Sequence, residues 1–168
     1  MTIEEAIKTA LQYENRVVGV YEEATRASAD EVGKKIFEAL VKEERQHVQY
    51  LKDRLAEWKR TGHVTAAELN TVVPPRARIE EGIRSLQGKV AAKPAEGEMR
   101  LLKRALDVEI ETSNYYIGVV KQLPPEGQRL FARFVEIEQG HQAIVQAEMN
   151  AVSQNGYWFD FAEISMEA

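Results

Sequence analysis

Apolar residues recur every three or four positions along most of the chain, which is the period of an amphipathic α-helix. Two segments show this stripe most clearly. They carry Phe37, Leu40, Val41, Val48, Leu51 and Leu55, and then Phe131, Phe134, Val135, Val145, Met149 and Val152. Because no convincing strand pattern interrupts the helical period, the sequence predicts an all-α fold.

Capping signals divide the pattern into four long helices. Thr2 with Glu5, and Ser28 with Glu31, have the spacing of a capping box. The fourth helix is expected to begin at the prolines before Glu126 and to end with a glycine past its last turn. The predicted helices span residues 3–27, 29–60, 98–123 and 125–154.

A long connection separates the second predicted helix from the third. Residues 61–97 contain three prolines and several glycines, and they are predicted to carry one short helix near 78–87. Two short connections and one long crossover fit a four-helix bundle. Residues 1–155 are therefore expected to form the bundle domain. Residues 156–168 form an aromatic tail that is expected to cap the bundle or to seal a dimer contact.

The second half of the chain repeats the first at an offset of 94 or 95 residues. The matched pairs are Ala10 and Ala105, Glu14 and Glu109, Tyr21 and Tyr116, Phe37 and Phe131, Val41 and Val135, Glu44 and Glu138, and His47 and His141. Glu43 aligns with Ile137, so Glu44 rather than Glu43 is the repeated carboxylate. The pattern predicts an internal repeat, in which one type of helical hairpin occurs twice.

The repeated glutamates and histidines fall inside the apolar stripes of their helices. Glu44 and His47 lie between Val41 and Val48, and the other repeated glutamates are flanked by apolar residues in the same way. Each helix therefore aims a carboxylate at the core. Burying one unpaired carboxylate costs several kcal/mol, and four that face one another also repel. They must either take up protons or surround a cation.

The histidines favour the cation. Neutral imidazole is a good ligand for iron, zinc and copper, and a Glu and a His three residues apart share one helix face. The four glutamate charges match two divalent ions. One Glu-x-x-His is common on a charged helix, but two at equivalent positions are a specific signal. The predicted metal ligands are Glu14, Glu44, His47, Glu109, Glu138 and His141.

Composition narrows the function further. The formal charge of −5 argues against a nucleic-acid partner. The absence of cysteine excludes disulfides, thiol catalysis and iron–sulfur clusters. No signal-peptide pattern or membrane-spanning apolar stretch is present, so we expect a cytoplasmic protein without a membrane partner.

Other polar residues have simpler interpretations. His63 is expected to be a solvated loop residue, and Asp107, Glu111 and Glu136 are expected on solvent-facing helix surfaces. Tyr21 and Tyr116 are either plain core aromatics or hydrogen-bond partners of the ligand glutamates.

This set of residues resembles the rubrerythrin branch of the ferritin-like superfamily over roughly residues 3–155. The resemblance rests on Glu14 with Tyr21, Glu44-x-x-His47, Glu109 with Tyr116, and Glu138-x-x-His141. It implies a ferritin-like four-helix bundle whose crossover joins the second and third helices. It also implies that Glu44 and Glu138 bridge two irons, that Glu14 and His47 complete one iron, and that Glu109 and His141 complete the other.

The resemblance implies a diiron oxidoreductase whose reduced centre reacts with hydrogen peroxide or dioxygen. Electrons would come from a separate donor such as a rubredoxin or a ferredoxin, and a homodimer is expected. Ferroxidase or iron-binding activity toward Fe(II) is the alternative. A further alternative is a helical bundle that binds metal without redox chemistry. Manganese or zinc could take the place of iron, because Glu and His bind all three.

Two departures from the family bear on this choice. The chain lacks the cysteines of a rubredoxin domain. Rubrerythrins also carry a further glutamate three residues after the third-helix ligand, where this chain has Thr112. Without that glutamate the ligand set resembles that of bacterioferritin, which strengthens the ferroxidase alternative.

Overall fold

The computed structural model describes residues 1–85 and 96–161, and all regular secondary structure in those ranges is α-helical. The prediction of an all-α fold is therefore confirmed. The helices are α1 (Ile3–Ala27), α2 (Glu31–Thr61), α3 (Arg76–Ser85), α4 (Glu96–Gln122) and α5 (Pro125–Asn155). None of these described helices has the length and apolar character needed to cross a membrane.

One of the two predicted capping boxes is present. The Thr2 hydroxyl accepts from the backbone N–H of Glu5 at 3.1 Å, and the Glu5 carboxylate accepts from the N–H of Thr2 at 2.8 Å. The box predicted at Ser28 is wrong. Asp30 caps α2 by accepting from the N–H groups of two residues in its first turn, so α2 begins at 31 rather than 29. Ser28 instead ends α1, and its hydroxyl donates to Glu98 at 2.6 Å.

The remaining boundaries lie within two residues of the predicted ones. α5 begins at Pro125, and Gly156 ends it with a left-handed φ of 71°. α4 begins at 96 rather than 98, and α3 spans 76–85. The predicted end of the short helix at Gln87 lies outside the described residues, as do residues 86–95 of the connection and 162–168 of the tail.

Among the described helices, the most extensive packing is that of α1 with α2, α4 with α5, α1 with α4, and α3 with α5. The buried apolar side chains form two clusters. One includes Tyr21, Phe37, Ile144 and Phe161, and the other includes Ile7, Tyr116, Phe131 and Phe134. The repeated glutamates lie at the level where each helix passes from one cluster to the other, so they form a polar layer between two apolar layers.

The segment that follows α2 is fastened to the bundle by hydrogen bonds. The Tyr50 hydroxyl donates to the carbonyl of Ala67 at 2.7 Å, and Arg133 Nε donates to the carbonyl of Leu69 at 2.9 Å. These contacts hold residues 62–75 against α2 and α5.

The described part of the aromatic tail packs on its own bundle. Trp158 meets Phe37 edge to face at 5.1 Å between ring centroids. A Cβ added to Gly33 would lie 2.7 Å from the Trp158 ring, so glycine permits this close approach. The backbone N–H of Phe159 donates to Glu148 at 2.7 Å. Residues 158–161 therefore close one end of the bundle, as one of the two predictions for the tail expected.

Candidate metal centre

The structure brings all six predicted metal ligands together at the centre of the bundle. Each of the four long helices contributes one glutamate, and α2 and α5 each add a histidine one turn later. Every one of the six side chains is fully buried at 0% exposure. These residues are Glu14, Glu44, His47, Glu109, Glu138 and His141.

Glu44 and Glu138 each present one oxygen to each histidine. Glu44 Oε2 lies 3.2 Å from His47 Nδ1, and its Oε1 lies 2.6 Å from His141 Nδ1. Glu138 Oε1 lies 3.7 Å from His47 Nδ1, and its Oε2 lies 3.8 Å from His141 Nδ1. These two carboxylates therefore span the space between the two imidazoles.

Glu14 and Glu109 each face a single histidine. Glu14 Oε2 lies 3.8 Å from His47 Nδ1, and Glu109 Oε1 lies 3.3 Å from His141 Nδ1. The ligand atoms of the six predicted residues consequently form two groups, within each of which all atoms lie within 4.8 Å of one another. The groups are Glu14, Glu44, His47 and Glu138, and then Glu44, Glu109, Glu138 and His141.

Several acceptor atoms of the cluster have no hydrogen-bond donor among the described residues. They include both oxygens of Glu138 and one oxygen each of Glu14, Glu44 and Glu109. Unsatisfied carboxylate oxygens this deeply buried are rare in native proteins. Two metal cations would satisfy them, so the side chains present fit a metal centre.

Two tyrosines donate hydrogen bonds across the bundle to Glu14 and Glu109, the two carboxylates that each face a single histidine. The Tyr21 hydroxyl donates to Glu109 Oε1 at 2.7 Å, and the Tyr116 hydroxyl donates to Glu14 Oε1 at 2.6 Å. Each tyrosine thus contacts the glutamate of the opposite half, which favours hydrogen bonding over a plain core role. Burial and the nearby carboxylates hold both tyrosine pKa values well above the usual 10, so both phenols remain neutral donors.

The metal-free cluster is balanced by protons. Burial and the charge of Glu14 raise the pKa of Glu44 to about 8, and burial with the neighbouring carboxylates raises the pKa of Glu138 well above its usual value. Burial opposes protonation of His47, but the charge of Glu44 outweighs it and raises the pKa to about 10. The pKa of His141 is raised in the same way by Glu44 and Glu109.

The carboxylates of Glu14 and Glu109 stay ionised instead. Burial acts to raise the pKa of Glu14, but the neighbouring Glu44 carboxyl and His47 imidazole outweigh it and lower the pKa to about 2. Burial is likewise outweighed at Glu109, whose pKa the charge of His141 lowers. Burial and like charge therefore favour protonation of Glu44 and Glu138, and the carboxylates favour protonation of both imidazoles.

Metal binding should release these protons. Protons held by the buried carboxyls and imidazoles must leave before all six side chains can ligate, so we expect metal binding at pH 7 to release at least about one proton per chain. At pH 9, above the Glu44 pKa of about 8, the release should be smaller. The measurement is a titration with Co(II) in weak buffer containing a pH indicator, with a protein-free blank.

The same protons set the pH dependence of stability. A carboxyl with a raised pKa makes folding take up a proton, so Glu44 costs the metal-free chain stability as pH rises from 4.5 to about 8. His47 stabilises the metal-free fold below pH 6.5, and this contribution is lost as pH rises through about 10. The gain in melting temperature on metal binding should therefore grow between pH 6 and 8. A gain independent of pH, with fewer than about one proton released, would contradict the protonated cluster.

Glu43 also belongs to the site, although alignment of the two halves of the chain did not identify it as a repeated carboxylate. Its side chain is buried, and its Oε2 contacts Nε2 of His141. Burial acts to raise the Glu43 pKa, but the hydrogen bond and charge of His141 lower it to about 2. The sequence did carry a signal for this burial, because the aligned residue Ile137 is apolar and is also buried.

The polar residues predicted to face solvent lie on the surface, as the sequence predicts. His63 is exposed near Glu126, and Asp107, Glu111 and Glu136 form surface ion pairs. Thr112 is buried, but its hydroxyl donates to the Val108 carbonyl one turn earlier. A neutral hydroxyl does not supply the negative charge of the further glutamate that rubrerythrins carry.

Comparisons of the chain with protein-family models, with curated proteins and with solved structures gave no match. The side chains of the site form a buried Glu/His cluster at the centre of a helical bundle, with the ligand types and spacings of a metal centre.

Proposed function

We propose that the chain is a non-haem diiron carboxylate protein of the rubrerythrin type. The proposal includes a ferritin-like arrangement of α1, α2, α4 and α5 as two repeated hairpins, with the connection after α2 as the crossover. The observation that carries it is the division of the Glu44 and Glu138 oxygens between the two histidines. Carboxylates in this position suit two ions rather than one.

The residues divide naturally into two metal positions. Glu14 and His47 would hold one ion, Glu109 and His141 would hold the other, and Glu44 and Glu138 would contact both. Four carboxylates and two neutral imidazoles balance two divalent ions. Iron is preferred on the resemblance to rubrerythrins, since the donor atoms alone would also suit manganese or zinc.

The proposed reaction is reduction of hydrogen peroxide, with dioxygen as the other possible oxidant. A ferrous pair would supply two electrons, and one peroxide takes them up with two protons to give two waters. Tyr21 and Tyr116 keep Glu109 and Glu14 oriented by donating hydroxyl hydrogen bonds to them. The apolar clusters on both sides exclude bulk water. An external donor protein must then return two electrons.

This function is tested by anaerobic loading with Fe(II), desalting and counting iron. We expect about two irons per chain, followed by faster oxidation with hydrogen peroxide than with dioxygen in stopped-flow mixing. Loss of all iron on desalting would remove the basis for the proposal. Two retained irons that react no faster with peroxide would exclude the peroxidase role and leave the diiron centre intact.

Thr112 favours ferroxidase activity as the second candidate. Since its hydroxyl is engaged with the helix backbone, the site lacks a seventh ligand of the kind that rubrerythrins carry. A ferroxidase treats Fe(II) as its substrate, so it must oxidise more than two ions per chain. Oxidation under air with excess Fe(II) that stops after about two ions would exclude this role.

A further inference from the structure

The two imidazoles of the cluster have unequal surroundings, although their inner faces are alike. Both direct Nδ1 at the glutamates, and their rings lie nearly parallel with centroids 5.5 Å apart. The difference lies at Nε2. Nε2 of His141 contacts the Glu43 carboxylate, whereas Nε2 of His47 has no hydrogen-bond partner among the described residues.

Sequence explains this asymmetry. Glu43 directly precedes Glu44 on α2, and the residue that directly precedes Glu138 on α5 is Ile137. Isoleucine offers no acceptor to any imidazole. The His47 ring instead packs edge to face with the Phe134 ring, with centroids 5.7 Å apart.

Glu43 is itself held in place. Its Oε1 accepts from the backbone N–H of Val72 at 2.5 Å, which leaves Oε2 for His141. Ligand atoms of Glu43, His47 and His141 also lie within 4.8 Å of one another. An ion at the Glu109 position would take Nδ1 of His141, so Glu43 at Nε2 of the same ring cannot ligate that ion. Its effect on the ion must act through the imidazole.

A carboxylate that accepts from the outer N–H of a metal-bound histidine fixes the tautomer and ring orientation and raises the basicity of the ligating nitrogen. Removing such a partner typically costs about 10–100-fold in metal affinity. Here only one of the two metal positions has this partner.

We propose that Glu43 is a positioning residue that makes the two metal positions unequal. The ion held by Glu109 and His141 binds first and is retained, and the ion held by Glu14 and His47 binds more weakly and exchanges. This inference rests on the proposed dimetal function and adds an order of loading to it.

The affinities of the two metal positions can be measured separately in two half-site variants, each of which is weakened at one position only. Glu14→Gln weakens the His47 position, and Glu109→Gln weakens the His141 position. Each is titrated with Co(II) in competition with a chelator, and the visible Co(II) absorption reports coordination at the remaining position. We expect the Glu14→Gln chain to bind its ion about 10–100-fold more tightly than the Glu109→Gln chain.

Glu43→Leu is then added to each half-site variant. It should weaken Co(II) binding about 10–100-fold and shift the absorption band in the Glu14→Gln background, with little effect in the Glu109→Gln background. Glu43→Gln keeps one acceptor oxygen, which can serve either Val72 or His141 but not both, so it should restore only part of the affinity. Arg133→Ala is the matched control, because Arg133 also holds residues 62–75 without touching either histidine.

The outcomes distinguish this inference from the function on which it rests. Equal affinities in the two half-site variants, or an equal effect of Glu43→Leu in both, would overturn the ordered loading while two ions still bind the native chain. A loss caused equally by Arg133→Ala would assign the effect to the segment 62–75 and overturn the role of Glu43. Failure of the native chain to bind Co(II) or iron at all would overturn the dimetal function itself.

Discussion

Replacing Glu44 by glutamine is expected to remove both metal ions from the chain while leaving the metal-free fold as stable as before or more stable. Glu44 lies 3.2 Å from one imidazole and 2.6 Å from the other, so both proposed ions lose a ligand and a charge at once. The affinity of each ion should fall by more than the roughly 10–100-fold that is typical for loss of an outer partner. Glu138→Gln should behave in the same way.

The opposite effect on stability follows from protonation. Without metal, Glu44 must fold as a neutral acid with its pKa raised to about 8, against 4.5 for an ordinary glutamate. Between these pH values the folded chain takes up a proton that the unfolded chain does not hold, which costs stability. Glutamine has nearly the same shape and is already neutral, so this cost disappears at pH 7.

Glu148→Gln provides the matched control. Glu148 is another buried carboxyl, and burial raises its pKa well above the usual value, but it accepts from Phe159 near the end of the bundle. Its replacement should also leave stability equal or higher, and metal content should stay at two ions. The measurements are metal per chain after desalting and thermal unfolding of the metal-free proteins. Two ions retained by Glu44→Gln would exclude a shared carboxylate at this position.

The sequence predicted the helices and the six cluster residues because periodicity and repetition are local features. Glu44 and His47 interrupt an otherwise apolar stripe, and the same interruption recurs at Glu138 and His141. Burial of a polar residue within a stripe can be inferred from its neighbours on the same helix face. Agreement between two halves of the chain excludes most chance arrangements.

What the sequence could not predict depends on contacts between distant segments. Alignment of the two halves set Glu43 aside, and only the fold shows that it reaches from α2 to His141 on α5. The start of α2 was missed for a related reason. Ser28 had the capping spacing, but its hydroxyl is engaged by Glu98 from another helix, which leaves Asp30 as the cap. Local signals in both places were outweighed by tertiary partners.

Phe134→Ala is expected to cause a large loss of stability. Phe134 is fully buried and packs against Tyr116, Phe131 and Tyr50 at centroid distances of 5.0, 6.0 and 5.8 Å. Truncating a buried phenylalanine to alanine costs about 3–5 kcal/mol, which is a large part of the 5–15 kcal/mol that is typical of a domain. Chemical denaturation of the metal-free protein measures this loss.

The same change should affect one metal position more than the other. The Phe134 and His47 rings meet edge to face at 5.7 Å and 77°, so loss of the Phe134 ring frees the imidazole that has no outer hydrogen-bond partner. Phe131→Ala is the control, since Phe131 is equally buried and contacts Tyr116 without a ring contact to His47. Both variants should lose comparable stability. Only Phe134→Ala should also weaken Co(II) binding in the Glu109→Gln chain, where the His47 position is the one that remains. Equal weakening by both would mean that the apolar layer acts on the cluster as a whole, and that His47 is held by the general packing rather than by the Phe134 ring.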